Sequence, residues 1–203
     1  MKPIRSLLVL FLGAALFSGC ASTVSYNSAY EPREQYPSES LSGKALILTE
    51  ASEDMLVLSQ SPSSFTGGGT TINVGIGLII KEIATSVFDR LFEEGADSSN
   101  NSAIASEYRV VITPSHSSLD FQFSQLENLG FAITPKASVN IRVEITDPVG
   151  GSVLLDGSYP SGLVEGNTYA ISGAPSEKIN EVIHQAVGKA LSNAARDLRI
   201  ALD

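Results

Sequence analysis

The stretch Ser138-Val139-Asn140-Ile141-Arg142-Val143-Glu144-Ile145-Thr146 decides the architecture. Val139, Ile141, Val143 and Ile145 alternate with polar residues, so a strand here has one apolar face and one that tolerates water. Asp147-Pro148-Val149-Gly150-Gly151 then supplies turn residues, and residues 152–159 read as the returning strand of a hairpin. Upstream, Tyr108, Val110 and Ile112 alternate, and Leu119, Phe121 and Phe123 alternate again. With Pro114 and the serines around His116 between them, these two runs read as a second hairpin with its turn at residues 114–118. Residues 44–49 and 55–59 are short strand candidates that pair or form an edge, and the Ser- and Asn-rich residues 97–106 read as a mobile loop.

Two segments carry helical spacing instead. Ile76, Ile80, Ile83, Val87 and Leu91 fall on one stripe, with Lys81, Glu82, Thr85, Ser86, Asp89, Arg90 and Glu93 facing away and Gly95 as terminator. From about Pro175, a second stripe runs through Ile179, Val182, Ile183, Ala186, Val187, Ala190, Leu191, Ala194 and Leu198. One-faced strands and single-striped helices are satisfied together when a mainly antiparallel sheet is covered on one face by the two amphipathic helices. The expected fold class is therefore α+β, in one domain over residues 43–203.

Composition excludes some classes outright. Of 203 residues, 43% are hydrophobic and 17% charged, enough apolar material to bury a core, so disorder is ruled out. Thirteen Lys and Arg against 22 Asp and Glu give a net charge of −9, the wrong sign for releasing counterions from nucleic acid, so no nucleic-acid partner is expected.

The N-terminus carries an address. Lys2 and Arg5 precede an apolar run over residues 6–17, closed by Ser18-Gly19-Cys20. That run is too short for a membrane span, which needs roughly 20 residues, and reads as an export signal occupying residues 1–19. Leu16-Phe17-Ser18-Gly19-Cys20 resembles a bacterial lipoprotein lipobox, with Phe17 standing where Leu is usual. The resemblance implies cleavage between Gly19 and Cys20, a diacylglycerol on the Cys20 thiol and an acyl chain such as palmitate on its new amine. It also accounts for the single cysteine of the chain, which has no partner for a disulfide. Ala21 and Ser22 follow, without the Asp that signals inner-membrane retention, so the expected location is the outer membrane, lipid-anchored and facing the periplasm. Loss of Lys2 and Arg5 leaves 11 basic against 22 acidic groups, a mature charge of −11, which keeps the body off anionic lipid.

Residues 20–42 read as the lipidated cysteine and a flexible tether, poor in aliphatic residues, spanning roughly 25 Å as a coil and about 70 Å stretched. Tyr26, Tyr30 and Tyr36 are then linker tyrosines, with docking on a partner as the sharper alternative.

From about Lys136 to Asp197 the order of residues resembles the YajG-type bacterial lipoproteins. The likeness lies in the alternating strand at residues 138–145, a Gly-containing turn, a strand ending near Tyr159, Glu165-Gly166-Asn167, and a long Ala-rich helix. It covers about a third of the chain and implies a periplasmic protein that binds other envelope components, with no catalytic residues to carry over.

Candidates for chemistry are few. His116 lies among Ser115, Ser117, Ser118 and Asp120 but without a Gly-x-Ser-x-Gly elbow, so a surface turn is the better reading than a nucleophile and base. His184 is expected to point partly to solvent, and a metal role would need ligands where Asn180 and Gly188 stand. The pairs Glu53-Asp54 and Glu93-Glu94 read as solvated ends of elements. Gly67-Gly68-Gly69-Thr70-Thr71 before a helix has the look of a phosphate cradle, but the Gly-Lys-Ser/Thr ending is missing. Phe65, Gly67, Gly68 and Gly69 are kept as candidate partner contacts, with Phe65 anchored to its own core as the plainer role. Residues 72–80 are apolar enough for membrane or partner insertion, though a central buried helix is the simpler account.

No cofactor, no metal and no enzymatic activity are expected. The residues point to a non-enzymatic interaction or assembly module bound to an envelope protein complex, with a homo-oligomer allowed. The alternative is a lipid or small-ligand binding accessory of an envelope transport system.

Overall fold

The computed structural model describes residues 21–32, 40–64, 69–125, 132–170 and 175–202. Cys20, Phe65, Gly67 and Gly68 lie outside the described residues, as do the export signal and Tyr36. In chain order the elements are β1 (Ala21–Val24), β2 (Ala45–Leu48), α1 (Ala51–Asp54), β3 (Leu58–Gln60), β4 (Thr71–Val74) and α2 (Ile76–Asp89). They continue with β5 (Ala96–Ser99), β6 (Val110–Gln125), β7 (Ala132–Thr146), β8 (Val153–Pro160), β9 (Val164–Glu165), β10 (Tyr169–Ala170) and α3 (Pro175–Leu202).

The fold is α+β, with a largely antiparallel main sheet. The alternating stretch is the second half of β7, and Val139, Ile141, Val143 and Ile145 are buried. β6 runs along one edge of β7 from Val111↔Thr146 to Gln125↔Ile133. The other edge is shared in succession by β10, β9 and β8. Beyond β6, β2 and then β5 complete the sheet, both pairing parallel. The stripes of α2 and α3 pack together and against this sheet, giving one core in which Phe88, Phe121, Ile141 and Ile179 are fully enclosed. A second sheet, ordered β1-β4-β3, lies beside α3.

Several expectations are corrected. The second hairpin does not exist, because β6 is one strand from Val110 to Gln125 with a bulge between His116 and Ser118. β2 accompanies β6 only as far as Ile112, so Pro114 sits where no strand lies on that side and its missing N–H costs no ladder bond. Past the bulge that edge is taken up by the segment after β3, where Ser63 N donates to Phe121 O at 2.9 Å. The two candidate strands at 44–49 and 55–59 both form but do not pair with each other; β2 lies between β5 and β6, and β3 forms an edge by pairing with β4, the second of the two expected arrangements. The expected mobile loop is β5 followed by a 3₁₀ turn at Ser102–Glu107, whose Ile104 and Ala105 cover Leu46, Tyr108 and Val111 on the outer face of the sheet. Residues 72–80 split into β4 and the first turn of α2, with Ile72, Val74, Ile76, Ile79 and Ile80 buried.

The flexible tether is also corrected. Residues 21–32 belong to the domain: β1 pairs parallel with β4 from Ala21↔Thr71 to Val24↔Val74, and Val24 is buried. The low aliphatic content concealed this, because the segment is held mainly by ring contacts and hydrogen bonds.

Gly77, in the first turn of α2, lies where α1 crosses, and a Cβ there would stand 1.7 Å from the Glu53 carbonyl oxygen. Alanine in place of a helical glycine normally gains about 1 kcal/mol. Here Gly77→Ala is expected to lose about 2 kcal/mol through overpacking, measured by urea unfolding.

Candidate functional site

Two built polar sites stand out among the described residues. The first is the seat of the N-terminal segment on α3. Asn180, His184 and Gly188 follow one another at intervals of four and form a line beside the apolar stripe of that helix. His184 is fully buried, against the expectation that it points partly to solvent. Its Nε2 accepts the Asn27 N–H at 3.0 Å, which places its proton on Nδ1, where it donates to Asn180 O at 2.9 Å. Tyr26 stacks on the imidazole and Tyr30 meets it edge-on, both with centroids 5.8 Å away. One turn on, a Cβ at Gly188 would fall 2.0 Å from Pro32 Cγ, so only glycine lets the segment cross. Asn180 Nδ2 also donates to Ser25 O at 3.0 Å.

Glu31 ties the same segment to α2. Its carboxylate accepts from the Tyr26 hydroxyl, accepts from Ser86 Oγ at 3.0 Å, and pairs with Arg90 at 3.7 Å. Arg90 donates in turn to Pro32 O at 3.1 Å. Burial, the bond to Glu31 and its charge together raise the Tyr26 phenol. Burial pushes the His184 imidazole below its ordinary value, against smaller opposing effects of Asn180 and Glu31. The tyrosines expected in a solvated linker therefore clasp a buried histidine of the same chain.

The second site lies at the carboxyl ends of the parallel strands β2 and β5, beside Thr113 of β6. A cleft of about 250 Å³ there is lined by Leu48, Thr49, Glu50, Asn100, Ser102 and Thr113. Thr49 Oγ1 donates to Asn100 Oδ1 at 3.3 Å, and Lys81 Nζ reaches Asp54 at 2.6 Å and Asn100 at 3.3 Å. Asp54 was expected as a solvated helix end, yet its side chain is only 13% exposed. Burial works against its charge, but Lys81, Thr49 and Asn100 outweigh that and hold the carboxyl below its usual range. The sequence concealed this pairing because Lys81 and Asp54 are 27 residues apart on different helices.

His116 is half-buried in β6, not on a surface turn, and its Nε2 has no hydrogen-bond partner. Burial lowers its pKa. Its flanking serines alternate along a strand and do not gather around the ring, so the nucleophile and base arrangement is not assembled. Of the Gly-rich candidates only Gly69 is described; it forms a turn into β4, and that strand separates it from the N-terminus of α2. Among the described residues no group of three or more His, Cys, Asp or Glu is placed to hold a metal ion.

No family model and no curated protein matches the sequence, so the YajG-type resemblance stands on the residues quoted for it. Among solved structures, one shares the fold and others match more loosely. A Xanthomonas campestris protein of the DUF330 family matches with a TM-score of 0.54 and 8% identity, over 89% of this chain and 95% of that one. A PelC dodecamer from Paraburkholderia phytofirmans matches with a TM-score of 0.36 and 11% identity, over 77% and 96%. A candidate lipoprotein from Caulobacter crescentus matches with a TM-score of 0.30 and 14% identity, over 62% and 79%. The first likeness is one of fold alone, and the other two carry no inference about this chain.

The His184 seat has a definite pH signature. An unfolded imidazole takes up its proton near its ordinary value of 6.5, while the folded one, held neutral by burial, resists until lower pH. The unfolded state then binds more protons, so stability is expected to fall as pH drops below about 6.5. His184→Gln should flatten that slope in urea unfolding, leaving the share due to His116, which acts in the same direction. His184→Ala should cost about 2 kcal/mol and speed amide exchange across residues 22–32.

Proposed function

We propose that this chain is an envelope lipoprotein, anchored through acyl groups on Cys20 in the outer membrane and facing the periplasm, whose domain is a non-enzymatic interaction module for an envelope protein complex. The observation that carries the reading is the place of the only cysteine: it closes an export signal and stands one residue before the first strand of the domain. Such a thiol has no disulfide partner, and acylation is the chemistry that uses it. Among the described residues no helix is long and apolar enough to cross a membrane, so the acyl chains would carry the attachment.

Support for an interaction role comes from the end of the domain where β7 turns into β8 and α3 finishes. Val149 is 86% exposed, and Val153 and Ile200 are also largely exposed. An open cleft of about 370 Å³ beside them is lined by Tyr108, Arg109, Val110, Asp147, Val149, Leu154 and Leu202. A carrier of lipid would bury its ligand in an enclosed apolar cavity, whereas this surface is open and rimmed by charge, as suits a protein partner.

The test is in-cell crosslinking followed by identification of the proteins and lipids recovered. A protein partner retained by the native chain, and lost in both Cys20→Ala and Val149→Asp, is the expected outcome. Recovery of lipid alone would overturn the interaction reading. Cys20→Ala is further expected to abolish incorporation of a labelled fatty acid and to move the protein from the membrane fraction to the soluble one.

A further inference from the structure

From the same acylation of Cys20, on which this step rests, we infer that the domain is held directly against the lipid surface in a fixed orientation, with the Gln125 and Ala132 ends of β6 and β7 toward the membrane. The argument is one of chain length and direction. Cys20 is a single peptide unit, about 3.8 Å between Cα atoms, from Ala21, and Ala21 is already paired with Thr71. A tether of some 22 residues would let the domain roam over tens of ångströms; a docked β1 leaves no such freedom.

Register then says which end meets the lipid. β1 runs parallel to β4 and β4 antiparallel to β3, with Ser22 beside Ile72 and Ile72 beside Gln60. Gln60 Nε2 donates to Leu119 O at 3.4 Å, and the chain beyond it follows β6, with Ser63 N on Phe121 O at 2.9 Å and Ser64 Oγ accepting from Phe123 N at 2.8 Å. Ala21 therefore lies level with residues 119–121 of β6. That strand continues to Gln125, roughly 15 Å further in the direction that leads from Val24 to Ala21 along β1. An anchor placed next to Ala21 brings Gln122, Ser124 and Thr134 to the headgroups. The turn at Val149 lies at the other end of the same ladder, on the order of 45 Å from Gln125, and faces the periplasm.

The seat around His184, Gly188, Asn180 and Glu31 fixes this orientation, since it holds residues 25–32 immediately after β1. The arrangement needs no attraction between the acidic domain and lipid, so it is expected on zwitterionic vesicles.

The chain contains no Trp, so single tryptophans report position without background. The full chain, expressed with its leader, is purified and reconstituted into phosphatidylcholine vesicles containing doxyl-labelled lipid, as Ser124→Trp or as Val149→Trp. Ser124→Trp is expected to lose most of its emission and Val149→Trp to keep it. A 20-residue Gly-Ser insert between Cys20 and Ala21, which leaves every contact of the domain intact, is expected to restore the emission of Ser124→Trp. The intact mass of the purified protein shows independently whether Cys20 is acylated. A chain without the acyl mass overturns the anchor and this orientation together. An acylated chain in which the two tryptophans are quenched alike, or in which the insert changes nothing, overturns the orientation alone.

Discussion

Burial of one face of the β6–β7 ladder beneath α3 is the constraint on which the rest of the molecule depends. The period of two in a strand sends Val139, Ile141, Val143 and Ile145 to the same side, and a register slip of one residue would exchange them for Asn140, Arg142 and Glu144. The stripe of α3 must therefore lie over that face and no other. α2 takes the remaining place beside it, over β2, β5 and β6. The outer face can then carry polar ladders, such as Arg142 Nε and Nη2 on Asp156 at 3.1 and 2.9 Å and Ser158 on Asn140 at 2.8 Å.

What the sequence made legible follows from periodicity. β7, α2 and α3 were readable because each repeats its pattern over three or more turns or pairs, and from these three the α+β class follows. What it concealed lies where a local signal has two meanings. Pro114 among serines is turn chemistry in isolation, but on a strand whose neighbour has ended it is an edge residue, and only the pairing of β2 with β6 decides between them. Asp97, Ser98 and Ser99 look like loop, yet β5 needs little apolar character because it pairs only with β2, at the margin of the sheet.

The candidate site was less legible than the fold for a related reason. Tyr26, Tyr30 and Glu31 carry no periodicity; the two rings meet His184 on the distant α3, and Glu31 meets Ser86 on α2, 55 residues on. The spacing of Asn180, His184 and Gly188 did mark a line on the helix. For a metal ion that line is empty, since Asn180 and Gly188 are not ligands. Read for the seating of a chain, it supplies an acceptor nitrogen, a side-chain donor and a gap one Cβ wide, each of which meets a different part of residues 25–32.

That seat changes what an anchor at Cys20 would mean mechanically. A polar segment of this composition is free to reorient when nothing holds it, and a tethered domain of that kind searches a volume. Docked through β1, the imidazole and Glu31, the segment becomes part of the rigid body, and an anchor at its start acts as a pivot fixed to the sheet. The exposed turn at Val149, proposed above as an interaction surface, would then be carried at one height above the membrane. A partner held in the same membrane would meet it at that height without an orientational search, which is the main term that slows association between surfaces. The buried imidazole at the crossing point belongs to the same device, because it accepts the Asn27 N–H, which a purely apolar seat would leave without that partner.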